Sequence, residues 1–177
     1  RIEIGDGQKC LPLSPPRKAS ERLLNRNFFS EDLSDSSFNF FMLENVIFSK
    51  CNLSDSTFNN ANISGVTFEE CNLEYAEFKD SNLSNVEFHN SDLVQVVIMS
   101  SVKDSTFYDC DMTTSCLVKS VFEGCSFIGC NMEETNFIKG ILRASVLHHA
   151  KLGRSIFDRT IIEHCDLRWT DFEGSRY

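Results

Sequence analysis

The stretch CNLSDSTFNNANISGVTFEECNLEYAEF, residues 51–78, carries a large apolar side chain at every fifth position. These positions are Leu53, Phe58, Ile63, Phe68, Leu73 and Phe78. A period of five fits neither the roughly 3.6 residues per turn of an α-helix nor the two-residue alternation of a β-strand. The stretch therefore predicts a fold whose building block is itself a unit of five residues.

The same period covers most of the chain. We call the large apolar residue of each unit its centre. Centres run from Phe28 to Ile98 and, after a one-residue deletion near 99–101, from Val102 to Phe172, with no polar residue among them. An internal repeat of this length outweighs any local signal of secondary structure.

The other positions of the unit divide into inside, outside and corner. The residue two before the centre is small in most units, as at Ser56, Ala61 and Ser81, and the residue between the two is often Asn or Asp. Small–polar–large describes a three-residue extended segment whose two ends face inward. The last two residues, such as Ser64 and Gly65, favour turns. Each unit therefore predicts one side and one corner.

The units CNLSD (51–55), ANISG (61–65), CNLEY (71–75), SNLSN (81–85), SDLVQ (91–95) and CNMEE (130–134) resemble the pentapeptide repeat family, whose units read A-(D/N)-L-x-x. The resemblance covers residues 28–174. It implies an all-β fold, a right-handed, four-sided parallel β-helix with four units per coil. Residues 28–174 would then make about 7.5 coils.

The two ends of the chain depart from the repeat. For residues 1–27 we predict a flank of an extended arm and a short helix that starts near Ser20, with Leu23 and Leu24 covering the first coil. Residues 175–177 are predicted to be a tail. Because no comparable cap follows Phe172, we expect the chain to be part of a longer protein.

The net charge of -9 argues against a simple binder of nucleic acid or of an anionic membrane. No apolar run reaches the roughly 20 residues of a membrane span. Residues 28–98 hold 12 acidic and 2 basic side chains, whereas residues 102–177 hold 11 and 9. The candidate acidic face consists of Glu69, Glu70, Glu74, Glu77, Glu87 and Asp92.

Six of the eight cysteines fall at the small inward position, where Cys acts as a small apolar residue. Buried free thiols favour a reducing compartment, either the cytoplasm or a host cell into which the protein is delivered. Cys116 falls at an outward position and is the candidate exposed thiol. His148, His149 and His164 are expected to be solvated at corners, so we predict no metal site.

No Gly-rich phosphate loop, HExxH motif or nucleophile elbow occurs in the sequence. We therefore predict no catalytic or cofactor-binding residue and no enzyme activity in this chain. An attached enzymatic domain in a longer protein is compatible with this prediction.

An outward column of β-branched residues is the candidate partner surface. It consists of Val121, Ile141 and Ile161, with Val146 and Ile156 on the flanking sides and Lys119, Lys139 and Arg159 at the neighbouring corners. Stacked apolar side chains on a surface often mark an interaction site. The alternatives are that these residues only favour strand formation, or that another segment of the chain packs on them.

Two functions remain open. The first is a protein-interaction scaffold that binds another protein or a neighbouring domain. The opening NRNFFSEDLSDSSF (25–38) is loosely similar to β-helix domains of enterobacterial type III secreted effectors. The second is DNA mimicry, because FEGCSFIGCNM (122–132) and FEECNL (68–73) resemble units of the quinolone-resistance type, acidic rods that bind DNA gyrase. The nearly neutral second half favours the scaffold.

Overall fold

The structure is a computed structural model that describes residues 21–177. This part of the chain is a β-solenoid in which short parallel strands stack in successive coils, and it contains no helix. One side carries an eight-stranded sheet, which we call face 1. With strands numbered in chain order, face 1 consists of β1 (Arg22–Leu24), β3 (Met42–Glu44), β5 (Asn62–Ser64), β7 (Glu77–Ser84), β9 (Val97–Lys103), β11 (Val121–Glu123), β13 (Ile141–Arg143) and β14 (Ile161–Glu163). The strands β7 and β9 begin on the preceding side of the coil and continue around the corner into face 1.

Face 2 carries a six-stranded parallel sheet. It consists of β2 (Asn27–Phe29), β4 (Ile47–Ser49), β6 (Thr67–Glu69), β8 (Glu87–His89), β10 (Thr106–Tyr108) and β12 (Ser126–Ile128). The other two sides are joined from coil to coil by single parallel bridges. Face 3 runs from the Asp32–Asn52 bridge to the Lys151–Asp171 bridge, and face 4 runs from Ser37–Thr57 to Ile156–Arg176. The chain therefore turns four corners per coil, as the resemblance implied.

The solenoid begins earlier than the sequence analysis expected. Arg22–Leu24 form a strand and Asn27 begins the next one, where a short helix starting near Ser20 was predicted, and Leu23 pairs with Leu43 in the sheet. Leu23 is only 7% exposed because it lies five residues before Phe28 and is itself a centre, not a lid over the first coil. The predicted arm lies outside the described residues.

The repeat also continues past Phe172, through the residues expected to form a tail. Arg176 bridges to Ile156, one coil below it. The ring of Tyr177 stacks on that of Phe157, with centroids 5.6 Å apart and an interplanar angle of 16°. Tyr177 therefore occupies the next centre of face 4.

A left-handed residue turns almost every corner. Four glycines and 26 other residues have φ between 47° and 71°, and Asn and Asp supply ten of the 26. This conformation costs a residue with a Cβ roughly 1–2 kcal/mol, less for Asn and Asp. The corner amide donates to a carbonyl of the next coil, as Asp55 N does to Glu74 O at 2.9 Å. These bonds hold each corner in place.

The Asn and Asp residues of face 3 stabilise the turns that follow them. The side-chain oxygen of Asn72 accepts a hydrogen bond from the amide of Glu74 at 2.9 Å, and Asp111 accepts one from Thr113 at 3.0 Å. Such Asx turns satisfy an amide at the point where the chain leaves the sheet. This gives a physical reason for the Asn or Asp that precedes the centre in the family's unit.

The centres fill the interior in stacked columns. On face 2, Phe28, Phe48, Phe68, Phe88, Phe107 and Phe127 stack with centroids 4.7–5.1 Å apart and interplanar angles of 5–10°. Phenylalanines of faces 2 and 4 meet edge to face across the interior, as Phe68 does with Phe58 at 6.0 Å. Stacked and edge-to-face rings add to the gain from burial itself.

One coil is a residue shorter than the others. Phe78 pairs with Ile98, but Leu83 pairs with Val102, so five residues of β7 lie beside four of β9. The ladder shifts register between Lys79 and Asn82 to absorb the difference. At this corner no left-handed residue separates the two sides, and β9 runs through it as one strand.

Candidate protein-interaction surface

The sheet register places the predicted apolar residues of face 1 in one column. Val121 pairs with Ser101 on one side and Ile141 on the other, and Ile141 pairs with Ile161. Val121 and Ile141 are half-buried, and Ile161 is 42% exposed. We call Val121, Ile141 and Ile161 the apolar stripe.

A column of charged side chains runs beside the stripe on the same face. Lys103 pairs with Glu123 at 3.2 Å, and Arg143 pairs with Glu163 at 2.8 Å. Each cation therefore lies next to an anion of the following coil. The stripe borders charges that already neutralise each other.

Val146 and Ile156 lie on other sides of the solenoid. Val146 is on face 2, between Ser126 and Asp166, and Ile156 is on face 4, next to Asn136. Both side chains are half-buried. Neither one lengthens the stripe on its own face.

Face 4 carries apolar side chains that the sequence analysis missed. Val97 bridges to Cys116, and the half-buried Met99, Val118 and Ile138 follow the centres of the same side. The sequence predicts a turn at the residue after each centre, and a turn-forming residue gives no sign that its side chain contributes to an apolar surface. Cys116, predicted to be an exposed thiol, is half-buried among them.

The six predicted acidic residues do not form a single face. They are distributed with Glu69 and Glu87 on face 2, Glu70 at the following corner, Glu74 and Asp92 on face 3, and Glu77 on face 4. Each side of the solenoid is only five residues long. Because the chain turns a corner after every side, carboxylates that are close in sequence point in different directions.

Several of these carboxylates have local cationic partners. Lys50 pairs with Glu70 at 3.4 Å. Lys79 lies 2.7 Å from Glu77, and hydrogen bonds from Lys79 and Asn59 lower the pKa of the Glu77 carboxyl. Part of the negative charge of the first half is therefore compensated on the surface.

Comparison with protein families agrees with this architecture. A model described as a pentapeptide repeat region matches residues 23–98, and one described as pentapeptide repeats (8 copies) matches residues 105–143 and 141–176. The chain belongs to the pentapeptide repeat family. No curated protein matches this pentapeptide repeat protein.

Solved structures of other pentapeptide repeat proteins align with it at low identity. A trypsin-treated form of QnrB1, a plasmid-mediated fluoroquinolone resistance protein, is 15% identical, with a TM-score of 0.41 over 93% of this chain and 86% of that one. HetL, involved in heterocyst differentiation regulation in the cyanobacterium Nostoc sp. strain PCC 7120, is 12% identical, with a TM-score of 0.37 over 88% and 86%. The family assignment rests on the matches to the family models. The similarity to these solved structures is too low to indicate a function for this chain.

The small inward column of this pentapeptide repeat protein is also a hydrogen-bonding column. Ser81 Oγ donates to Phe58 O at 2.6 Å, and the thiols of Cys125 and Cys130 donate to Val102 O at 3.4 Å and Phe107 O at 3.3 Å. All seven cysteines within residues 21–177 are free thiols, and Cys165, in the last coil, is half-buried rather than buried. Cysteine therefore serves here both as a small residue and as a weak donor.

Burial of Cys125 predicts a loss of stability at alkaline pH. Burial raises the pKa of its thiol from the usual 9.0 to about 11. The thiol therefore loses its proton at lower pH in the unfolded chain than in the folded chain. The contribution of the protonated Cys125 thiol to the free energy of unfolding is complete below pH 9 and is lost as pH rises towards 11. Between pH 8 and pH 10 we expect the wild type to lose about 1.4 kcal/mol more than Cys125→Ala, measured by urea unfolding. Equal losses in the two proteins would contradict this assignment.

A cluster around the single tryptophan was not anticipated from the sequence. Asp166 accepts hydrogen bonds from Arg168 at 2.7 Å and from His148 at 2.8 Å, and these donors hold its pKa well below the usual range. The ring of Trp169 stacks on His149 with centroids 5.2 Å apart, and Arg168 lies 5.4 Å from the same ring. His148 lies in the turn as predicted, but it is half-buried and paired with Asp166 rather than solvated. Trp169 remains 66% exposed.

Two absences apply to the described part of the chain, residues 21–177. Within that range no group of three or more His, Cys, Asp or Glu side chains is placed so that it could hold a metal ion. The same range has no helix with the length and apolar character needed to cross a membrane.

Proposed function

We propose that this chain is a non-catalytic protein-interaction module whose partner contacts the apolar stripe. The observation that carries the proposal is the register that stacks Val121, Ile141 and Ile161 on one sheet face, beside charges that are already paired. The three preceding positions of this column are the polar Asn62, Asn82 and Ser101, and the first two are Arg22 and Met42. A local change from polar to β-branched side chains in the same column is typical of a contact surface.

The interior and the carboxylates support a non-catalytic role. Stacked side chains fill the interior of the coils, so the solenoid has a packed core. The acidic side chains lie on the outside, several of them paired with cations. A carboxyl that serves as a general acid is normally held in an apolar pocket that raises its pKa.

Photo-crosslinking tests the proposal and can capture a partner that has not been identified. Benzoylphenylalanine replaces Val121, Ile141 or Ile161 singly, in cells that produce the protein naturally. Thr67 and Thr106, outward residues of face 2, are the matched control positions. We expect a discrete crosslinked species from the stripe and none from the controls. Absence of crosslinks at all three stripe positions, or equal yields at the controls, would contradict the proposal.

A triple variant then separates binding from folding. Val121→Asn, Ile141→Asn and Ile161→Asn together place in this column the residue found at Asn62 and Asn82, so the fold should tolerate them. We expect the partner identified by crosslinking to co-purify with the wild type but not with the triple variant, while the circular dichroism spectrum stays that of a β-solenoid.

A DNA-mimicking gyrase-binding protein is the second candidate. The distribution of Glu69, Glu74 and Glu77 around three sides favours it, because a mimic of a duplex needs charge on several faces. A gyrase supercoiling assay, with and without a fluoroquinolone, separates the two functions. Inhibition or drug protection at low micromolar protein would favour the mimic, and no effect would favour the interaction module.

The context of the module is also part of the proposal. We place it in a longer protein, such as a bacterial secreted effector, and in the cytoplasm or a host cell. The buried free thiols of Cys51, Cys71, Cys110, Cys125 and Cys130 favour a reducing compartment of this kind.

A further inference from the structure

Three cations occupy the same corner in three successive coils. Lys119, Lys139 and Arg159 are the left-handed residues between face 4 and face 1, with φ of 57–59°. The backbone amides of the two lysines donate hydrogen bonds to carbonyls of the next coil, Lys119 N to Ile138 O and Lys139 N to Asp158 O, both at 3.0 Å. All three side chains are exposed. Since adjacent coils lie about 4.8 Å apart, three positive charges fall within about 10 Å. We call them the basic corner.

Apolar side chains lie on both sides of the basic corner. Val118 and Ile138 precede the two lysines on face 4, and the apolar stripe follows on face 1, so the sequence reads VKSV at 118–121 and IKGI at 138–141. In two earlier coils the same corner is polar, reading NNAN at 59–62 and KDSN at 79–82, whereas in the first coil it is apolar without a cation, reading NFFM at 39–42. A cation between two apolar residues therefore occurs at this corner in the coils of Lys119 and Lys139, whereas Arg159 follows the acidic Asp158.

The two lysine charges of the basic corner are not neutralised locally. Among residues 21–177, no carboxylate lies within ion-pair distance of Lys119 or Lys139, and the contact of Arg159 with Asp158 is at 4.0 Å. By contrast, Lys103 and Arg143 on the adjoining face each have a close anionic partner. Like charges stacked on neighbouring strands repel each other. The basic corner therefore adds nothing to the stability of the solenoid.

We propose that the basic corner recognises an acidic segment of a partner protein, one that carries large apolar side chains beside its carboxylates. The inference rests on the proposed function and names the chemistry of the partner. Carboxylates would neutralise the three cations, while the apolar side chains cover the stripe and Val118 and Ile138 on either side. Opposite charges arranged in this way select the partner and speed its encounter.

The surroundings favour a protein segment over an anionic membrane or a nucleic acid. The chain has a net charge of -9, which repels both. No aromatic side chain accompanies the cations at this corner in these coils, whereas binding of single-stranded nucleic acid relies on stacking of bases on aromatic rings.

Selection from a library of random 12-residue peptides tests the inference. Peptides selected on the wild-type chain are then measured on three variants. The first reverses the basic corner (Lys119→Glu, Lys139→Glu, Arg159→Glu), and the second replaces the apolar stripe with asparagine. The third is a matched control that reverses three exposed cations elsewhere (Arg22→Glu, Arg26→Glu, Lys151→Glu). Circular dichroism verifies the fold of each.

We expect the selected peptides to be acidic with interspersed large apolar residues. Their affinity should fall at least about tenfold on reversal of the basic corner, and much less in the control with the same net charge. It should also weaken as salt is raised, because exposed charges are screened.

The other outcomes separate this inference from the proposed function. Peptides that lose binding with the stripe variant but not with reversal of the basic corner overturn the inference and leave the proposed function standing. Peptides insensitive to both variants, or failure to select any peptide, count against both. Binding of the wild type to vesicles of phosphatidylserine and phosphatidylcholine, lost on reversal of the basic corner, would point to a membrane and overturn the inference.

Discussion

Phe68→Ala is expected to lower the free energy of unfolding by about 3–5 kcal/mol. The Phe68 ring is fully buried and stacks between Phe48 at 5.1 Å and Phe88 at 4.8 Å. It also meets Phe58 and Phe78 edge to face at 6.0 and 6.4 Å. Alanine would leave a cavity that the flanking coils cannot close, because their spacing is fixed by the backbone ladder. Urea unfolding followed by circular dichroism measures the loss.

Phe29→Ala is the matched control. Phe29 follows the centre of the first coil and is 68% exposed, so the same substitution should change the free energy of unfolding by less than about 0.5 kcal/mol. Equal effects at Phe29 and Phe68 would show that the stacked column does not hold the solenoid together.

Ser81→Leu is expected to cost about 3 kcal/mol, through overpacking and the loss of a hydrogen bond. Ser81 is buried in the small inward column, where its hydroxyl donates to Phe58 O at 2.6 Å and accepts from Ala61 N at 3.3 Å. Leucine adds bulk against backbone atoms and removes the donor. Urea unfolding again provides the measurement.

Two controls separate the causes of this loss. Ser81→Ala removes only the hydroxyl and should cost about 1 kcal/mol. Ser54→Leu adds the same bulk at an outward turn position and should be nearly neutral. If Ser81→Leu were tolerated as well as Ser54→Leu, the small column would not be a packing constraint.

The choice of probe matters for both measurements. Each coil contacts mainly its neighbours, so a damaged solenoid can lose its single cooperative transition. The only tryptophan, Trp169, lies in the last described coil, stacked on His149. Its fluorescence reports that coil, whereas circular dichroism reports all of them. Separate transitions by the two probes would show that the coils unfold in stages.

The fold was predictable because the interior dictates two of every five residues. Centres and small residues are repeated often enough to assign every unit to a side without any structure. The exception shows how the period overrides local propensity. The segment SERLLNRN (20–27) reads as the start of a helix, yet Leu23 takes the place of a centre and the chain forms strands.

The candidate surface was only partly predictable. The stripe followed directly from the period, but Val118 and Ile138 were missed because the residue after the centre was regarded as turn-forming. The acidic residues were grouped by sequence proximity, which a chain that turns every five residues does not preserve. The stacking of Trp169 on His149 had a usable signal, the offset of 20 residues that relates side chains of adjacent coils.

The division of each unit into inside and outside gives the surface the properties of a coordinate grid. A residue's neighbours above and below are known from its number alone, at an offset of 20, or 19 across the shortened coil between Ile98 and Val102. The outward positions can be rewritten with little effect on the buried columns. The same set of binding side chains could therefore be placed on another side or another coil by shifting their positions by whole units. This makes the chain a scaffold on which ligand groups can be spaced in steps of about 4.8 Å.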